Sequence, residues 1–148
     1  KILFEPGRSL VGNAGVLLAS VLYLKPGAEK NFCIVDAAMN DLMRPAMYQA
    51  WMGMAACTLR DTPPVVMDVV GPVCESGDWL GRDRSLAVQP GDVIAVLSAG
   101  AYGMSMARNY NPRGRAAEVM ISGGDAWLIR DREPAASLFR GEHLLPAN

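Results

Sequence analysis

The sequence predicts a mainly β domain with a few short helices. Apolar runs of strand length, rich in Val, Ile and Leu, alternate with turns that contain Pro or Gly. Two stretches have the pattern of a hairpin, VLYLKPGAEKNFCIV at 21–35 and EVMISGGDAWLI at 118–129, and the second has a Gly-Gly turn that tolerates positive φ. The chain has 148 residues, so we expect a single domain with one core over residues 1–148.

The strands are expected where β-branched and other apolar residues run between turn formers. In chain order they are VLLASVLYL (16–24), FCIV (32–35), VVMDVV (65–70), VIAVLSA (93–99), EVMI (118–121) and AWLI (126–129).

The remaining segments predict short helices and loops. AAMNDLMRPAMYQA at 37–50 is rich in Met and Ala, and Pro45 limits any helix there to short pieces. AGAYGMSMARNYNPRGR at 99–115 predicts one short helical turn before an Arg-rich loop, and LVGNAG at 10–15 is a candidate helix start. GPVCESGDWLGRDR at 71–84 contains Gly, Pro and Ser, which predict a loop rather than a strand or helix.

Charge and composition argue against several classes of partner. The formal net charge is −1, so no basic field would attract nucleic acid, and no apolar run reaches the roughly 18 residues of a membrane span. The chain has three cysteines, one histidine and no C-x-x-C pair, so we expect no metal site and no complete disulfide framework. Reduced thiols favour a cytoplasmic protein. The first residues show no signal-peptide pattern. Because the chain begins with Lys1 rather than Met, we expect it to be a piece of a longer protein.

The 71–84 loop places Cys74 beside Glu75. A thiol with a pKa near ~8.5 can deliver a proton to carbon near neutral pH, and the neighbouring carboxylate could bind a ligand. The alternative is a half-buried cysteine next to a solvated glutamate.

Three other groups have the right chemistry for binding. Glu5, Pro6, Gly7 and Arg8 form a turn that could hold a phosphate or carboxylate, and a plain turn is the alternative.

Arg44 and Tyr48 lie four residues apart and could share one side of a helical turn; the alternative is a surface Arg with a packed Tyr. Tyr102 follows Gly100-Ala101 and precedes Gly103, so it could stack on a planar cofactor or be an ordinary core tyrosine.

Four blocks, taken in order, carry a resemblance to a known family. They are EPGRSLVGNAG, DAAMNDLMRPAMYQA, VVGPVCESGDWLGRDR and GAYGMSMARNYNPRGRAAEVM. In this order they resemble the C-terminal part of the diaminopimelate decarboxylase family, which uses pyridoxal phosphate to convert meso-diaminopimelate into L-lysine and carbon dioxide. The likeness covers nearly the whole chain and is weakest in WMGMAACTLRDTPP and after Arg130.

The resemblance implies a C-terminal β-sandwich or barrel-like domain of the alanine racemase C-terminal type. It also implies a preceding (β/α)8 barrel, whose end residues 1–15 resemble, and a homodimer that shares each active site between subunits. In this family the barrel carries the cofactor as a Schiff base on a lysine. None of Lys1, Lys25 and Lys30 matches that lysine, so we expect this chain alone to be inactive.

Site roles also follow from the resemblance. It implies that Glu5, Pro6, Gly7 and Arg8 contact the cofactor phosphate, and that Arg8 also binds substrate. It implies that Arg44 and Tyr48 hold the distal end of the substrate and that Tyr102 lies near both cofactor and substrate. Cys74 matches the proton donor, which acts in the partner subunit's site, and Glu75 matches the acid that binds the substrate's distal amino group.

Two alternatives stay open. A sister decarboxylase would act on ornithine, arginine or carboxynorspermidine, but such enzymes tend to have Asp after the Cys, so Glu75 with Arg44 favours diaminopimelate. The other alternative is a non-catalytic interaction module, which would have no need of Cys74, Glu75, Arg44 and Tyr102 together.

Overall fold

A computed structural model describes residues 1–146. The chain divides into two compact units, Lys1–Ala107 and Arg108–Asn148. The single domain expected over residues 1–148 stays a prediction. Among the described residues, no helix has the length and apolarity that a membrane span requires.

The first unit is built on a six-stranded sheet. Its strands are β1 (Leu17–Lys25), β2 (Phe32–Val35), β3 (Met54–Ala56), β4 (Val65–Val70), β5 (Trp79–Leu86) and β6 (Val93–Val96). They are ordered β3-β6-β1-β2-β4-β5. Neighbours pair antiparallel except β2 and β4, which run parallel. The predicted 21–35 hairpin is confirmed by the β1–β2 pair.

The two end strands of this order contact each other, so the sheet is nearly closed into a barrel. Gly81 on β5 permits the approach, because a Cβ atom built there would lie 2.6 Å from Cε of Met54 on β3. The predicted mainly β, barrel-like fold with a few short helices is therefore confirmed.

Alternate residues of the strands fill the interior, as the two-residue period of a strand requires. On β1 these are Ala19 and Val21, which lie opposite Ile94 and Val35 on the neighbouring strands. The core is completed by Cys33, Leu42, Met52, Met67, Val69, Leu80, Leu86 and Val96.

The helices are short, as predicted. The helix α1 (Met43–Tyr48) has Pro45 in its first turn and ends where Gln49 adopts φ +53°. Because proline is tolerated only near the start of a helix, α1 cannot extend far toward the N-terminus. Short 3₁₀ helices cover Gly12–Ala14, Met104–Met106 and Ala135–Phe139.

The second unit contains the predicted hairpin at 118–129. Its strands β7 (Glu118–Ser122) and β8 (Asp125–Arg130) pair antiparallel around Gly123, whose φ is +59°. Arg130 forms an ion pair with Glu118 at the open end of the hairpin.

The loop predicted over 71–84 is wrong for its second half, because β5 begins at Trp79. This segment pairs with β4, with Val69 opposite Gly81, and it buries Leu80 in the core. Its charged residues mask a strand in the sequence, since Arg82 and Asp83 are exposed while their neighbours pack inward. The short strand β3 was also not predicted, and it forms because β6 supplies its hydrogen-bonding partner.

Candidate functional site

Cys74 and Glu75 lie on a tight loop, residues 71–78, between β4 and β5. The loop is closed by its own backbone, since the Glu75 N–H donates to the Val73 carbonyl at 2.8 Å and the Asp78 N–H to the Glu75 carbonyl at 3.1 Å. Both side chains are exposed, and Cys74 is a free thiol. The half-buried cysteine of the alternative interpretation is not what the structure shows.

Asp78 holds this loop in place. Its side chain is buried, and its two carboxylate oxygens accept hydrogen bonds from the backbone N–H of Val73 and of Met39, each at 2.7 Å. Met39 belongs to the turn that precedes α1. No role was predicted for Asp78, because the sequence does not indicate that a residue 39 positions away would be its partner.

Arg44 and Tyr48 lie on α1, four residues apart, as predicted. The Nε atom of Arg44 is buried and has no hydrogen-bond partner within residues 1–146. Tyr48 is exposed rather than packed. Leu42, just before the helix, is fully buried, so α1 is fixed in the core at its N-terminal end.

Tyr102 lies beside the N-terminal turn. Its backbone has φ +57°, its ring is exposed, and a Cβ atom built on Gly7 would lie 3.4 Å from its hydroxyl oxygen. Gly100 makes this arrangement possible, because a Cβ atom there would lie 2.1 Å from the Val11 carbonyl oxygen. The Gly100 N–H donates to the Gly12 carbonyl at 3.0 Å. The absence of a side chain at Gly100 therefore lets this loop pack against the chain's own N-terminal segment.

These segments are joined into one region by two further contacts. A Cβ atom built on Gly103 would lie 3.9 Å from Cδ1 of Leu42, so the Tyr102 loop contacts the start of α1. The Asp78–Met39 hydrogen bond joins the turn before α1 to the Cys74 loop. All the predicted site segments are thus linked within the first unit.

Several side chains of this region have no hydrogen-bond or ion-pair partner. Within residues 1–146 no hydrogen bond or ion pair is formed by the side chains of Arg8, Arg44, Tyr48, Cys74 and Tyr102. Two cations outside the region are paired: Arg60 Nε donates to Asp92 at 2.7 Å and Lys30 Nζ donates to Asp68 at 3.0 Å. Unpaired donors are available to a ligand.

The cysteines differ in electrostatic environment. Burial raises the pKa of the Cys33 thiol to about 11, which leaves it protonated and inaccessible near neutral pH. Cys57 and Cys74 are exposed, but only Cys74 lies on a loop joined to the candidate site. In the described part of the chain, no group of three His, Cys, Asp or Glu side chains could hold a metal ion.

Residues 10–100 match the family described as "Pyridoxal-dependent decarboxylase, C-terminal sheet domain". The chain belongs to this family. A diaminopimelate decarboxylase of Pseudomonas fluorescens is 58% identical over 145 residues, which are 98% of this chain and 35% of that protein. The enzyme of the same name from Vibrio cholerae is 51% identical over 146 residues, 99% of this chain and 35% of that protein.

Solved structures of this decarboxylase family have the same fold. The crystal structure of diaminopimelate decarboxylase from M. jannaschii superposes with a TM-score of 0.92 at 45% identity, and the match covers 96% of this chain and 33% of that one. A second structure of that enzyme contains L-lysine. The chain spans about a third of the length of the curated relatives that it matches.

Proposed function

We propose that this chain is the C-terminal substrate-binding and dimerisation domain of a pyridoxal-phosphate-dependent diaminopimelate decarboxylase. The reaction is the conversion of meso-2,6-diaminopimelate into L-lysine and carbon dioxide, a step of lysine biosynthesis. The observation that carries the proposal is the set of side chains without partners at Arg8, Arg44, Tyr48, Cys74 and Tyr102, on segments that contact one another. The names and identities of the relatives support the choice of substrate.

The N-terminal turn fits the phosphate of the cofactor that the family description implies. The backbone N–H groups of Gly7 and Arg8 donate no hydrogen bond within residues 1–146, and the Arg8 guanidinium has no partner there. Such donors suit a phosphate. The Tyr102 hydroxyl, beside Gly7, could extend the same site toward the cofactor ring. Pro6 lacks an N–H and the Glu5 carboxylate would repel phosphate, so Pro6 would act by fixing the turn and Glu5 through its backbone N–H.

In this proposal Cys74 is the proton donor. When bound, pyridoxal phosphate would supply an electron sink for the electron pair that stays on the carbon when carbon dioxide leaves. Cys74 holds a proton on Sγ and gives it to the carbon that lost the carboxylate. Its exposure suits a group that acts in the partner subunit's site of a homodimer. The cytoplasmic location, which favours a reduced thiol, is part of the same proposal.

Glu75, Arg44 and Tyr48 are proposed to recognise the distal end of the substrate. Diaminopimelate carries an ammonium and a carboxylate there. A carboxylate and a guanidinium are the complementary groups, since charge-assisted hydrogen bonds are the stronger ones. The unpaired Nε of Arg44 is ready for such a partner, and the Tyr48 hydroxyl adds a neutral donor.

The test is lysine release from meso-diaminopimelate by the full-length protein that carries this chain, with ornithine as the competing substrate. Cys74→Ala should lower kcat by about 10²–10⁴-fold, the range expected for loss of a general acid. Cys57→Ala is the matched control, because Cys57 is also an exposed free thiol. Glu75→Gln should mainly raise KM.

Three other results would each reject a part of the proposal. Preference for ornithine would show a sister decarboxylase. Cofactor binding without turnover of either substrate would show a non-catalytic module. Equal activity of Cys74→Ala and Cys57→Ala would show that Cys74 is not the acid.

A further inference from the structure

Asp78 joins two segments that carry different groups of the proposed site. The loop 71–78 carries Cys74 and Glu75, and the turn at 37–42 leads directly into α1 with Arg44 and Tyr48. One carboxylate oxygen of Asp78 accepts the N–H of Val73, the residue before Cys74, and the other accepts the N–H of Met39. A single side chain therefore bridges the two segments through both of its oxygens.

The surroundings of Asp78 leave little freedom for this link. The side chain is 4% exposed. A Cβ atom built on Gly71 would lie 2.5 and 2.7 Å from the two carboxylate oxygens and 2.7 Å from the Ala37 carbonyl oxygen. The Gly71 N–H also donates to the backbone carbonyl of Asp78 at 3.1 Å. The missing side chain of Gly71 is what allows the carboxylate to reach both segments.

We infer that Asp78 is a positioning residue that fixes the proton donor Cys74 relative to the substrate-binding helix α1. The inference rests on the proposed function for the roles of Cys74 and Arg44, but the link itself does not. An ionised carboxylate is suited to this task because it accepts at both oxygens. Asparagine has nearly the same shape, but its NH₂ group would face one of the two N–H donors, so Asp78→Asn should break one of the two bonds.

Asp92 provides a matched control. It is also a buried aspartate, and it also accepts a backbone N–H, that of Gln89 at 2.9 Å, together with hydrogen bonds from Arg60. Asp92 holds the turn before β6 and was not assigned to the site. Asp92→Asn should therefore weaken hydrogen bonds of the same kind and leave the Cys74 loop unchanged.

The first measurement compares kcat and KM of Asp78→Asn and Asp92→Asn in the full-length protein, at a temperature where both are folded. We expect Asp78→Asn to lower kcat by about 10–100-fold, since a misplacement of about 1 Å can cost that much, and Asp92→Asn to stay within about twofold of the unchanged protein. Equal effects of the two variants would reduce Asp78 to a purely structural role.

The second measurement needs neither cofactor nor turnover. Alkylation of Cys74 by iodoacetamide is followed by peptide mass spectrometry, with the exposed Cys57 as internal reference. Asp78→Asn should change the ratio of the Cys74 and Cys57 rates by about threefold or more, because access and local environment set thiol reactivity. Asp92→Asn should leave the ratio unchanged, and an unchanged ratio in Asp78→Asn would overturn the inference.

A third measurement uses the protein without substitutions, so it can be made even if the variants do not fold. Hydrogen exchange at the Met39 and Val73 amides should be slow at both positions, because one carboxylate holds both. Fast exchange at Met39 would show that the link is absent. The two proposals can fail separately. If diaminopimelate is not a substrate but the alkylation ratio and the hydrogen exchange agree with expectation, the proposed reaction is wrong and the positioning of Cys74 by Asp78 is supported.

Discussion

Residues of the same type have different roles in this chain because they differ in burial, as the three cysteines and the aspartates show. Cys33 lies on β2 in the core, while Cys57 and Cys74 are exposed. Asp78 and Asp92 are buried and bonded to backbone N–H groups. The sequence identified Cys74 and Glu75 as candidates by their chemistry. It could not show that Asp78 holds their loop in place, because an aspartate in a polar loop has the same local pattern whether it is buried or solvated.

Cys33 should resist modification in the folded protein. Burial raises the pKa of its thiol to about 11, so both access and thiolate fraction are low. With iodoacetamide at pH 8, peptide mapping should find Cys57 and Cys74 modified and Cys33 unmodified until denaturant is added. Rapid modification of Cys33 without denaturant would contradict its place in the core.

Asp92 should contribute stability above about pH 4 that is lost toward pH 2. The hydrogen bond from the Arg60 guanidinium, followed by that from the Gln89 N–H, holds the pKa of Asp92 at about 2, below its ordinary 3.8. A carboxyl whose folded pKa is depressed stabilises the protein when ionised, and protonation removes this contribution. The difference in thermal midpoint between the unchanged protein and Asp92→Asn should therefore narrow as the pH falls from 4 to 2. A difference that stays constant would contradict the depressed pKa.

At the scale of the elements, pairing with a neighbouring strand produced one strand that local composition did not predict. The strands at Phe32–Val35, Val65–Val70 and Val93–Val96 were predictable, because apolar β-branched runs between turns favour strands. β5 was not, because its residues 81–85 read Gly-Arg-Asp-Arg-Ser. The backbone of β5 pairs with β4. Leu80 and Leu86 pack into the core, although polar residues lie between them.

The packing of β5 can be tested at Leu80. This side chain is 0% exposed, so Leu80→Ala should lower the free energy of unfolding by about 2–5 kcal/mol through lost burial and a cavity. Leu59 is 94% exposed, and Leu59→Ala should change the free energy of unfolding by about 0.5 kcal/mol or less. Urea unfolding of the two variants would compare them. Equal values would mean that residues 79–86 are a loop after all.

At the scale of the whole molecule, each unit exposes apolar side chains that a protein surface does not usually leave in contact with water. In the first unit Leu3 and Phe4 are exposed, and in the second unit Ile121, Trp127 and Leu128 are exposed on the hairpin. A two-stranded hairpin is marginally stable by itself, so it gains from a partner. These surfaces agree with a chain that spans about a third of its relatives' length.

The chain produced without additional sequence should therefore self-associate. Burial of exposed apolar area is the driving force, so association should weaken on cooling. Sedimentation velocity over a range of concentrations should show a mass that rises above that of one chain. A single monomeric species at high concentration would contradict this expectation.

The sequence alone determined the β class, the hairpins, the short helices and the chemical identity of the site residues. These depend on neighbours in the chain, namely turn formers, apolar runs and adjacent polar groups. Only the tertiary structure decided that β5 is a strand, that Tyr102 lies beside Gly7, and that Asp78 binds the backbone of Met39, 39 residues away. The physical reason is that burial and long-range hydrogen bonds arise from closure of the sheet, which brings together segments whose own sequences do not indicate their partners.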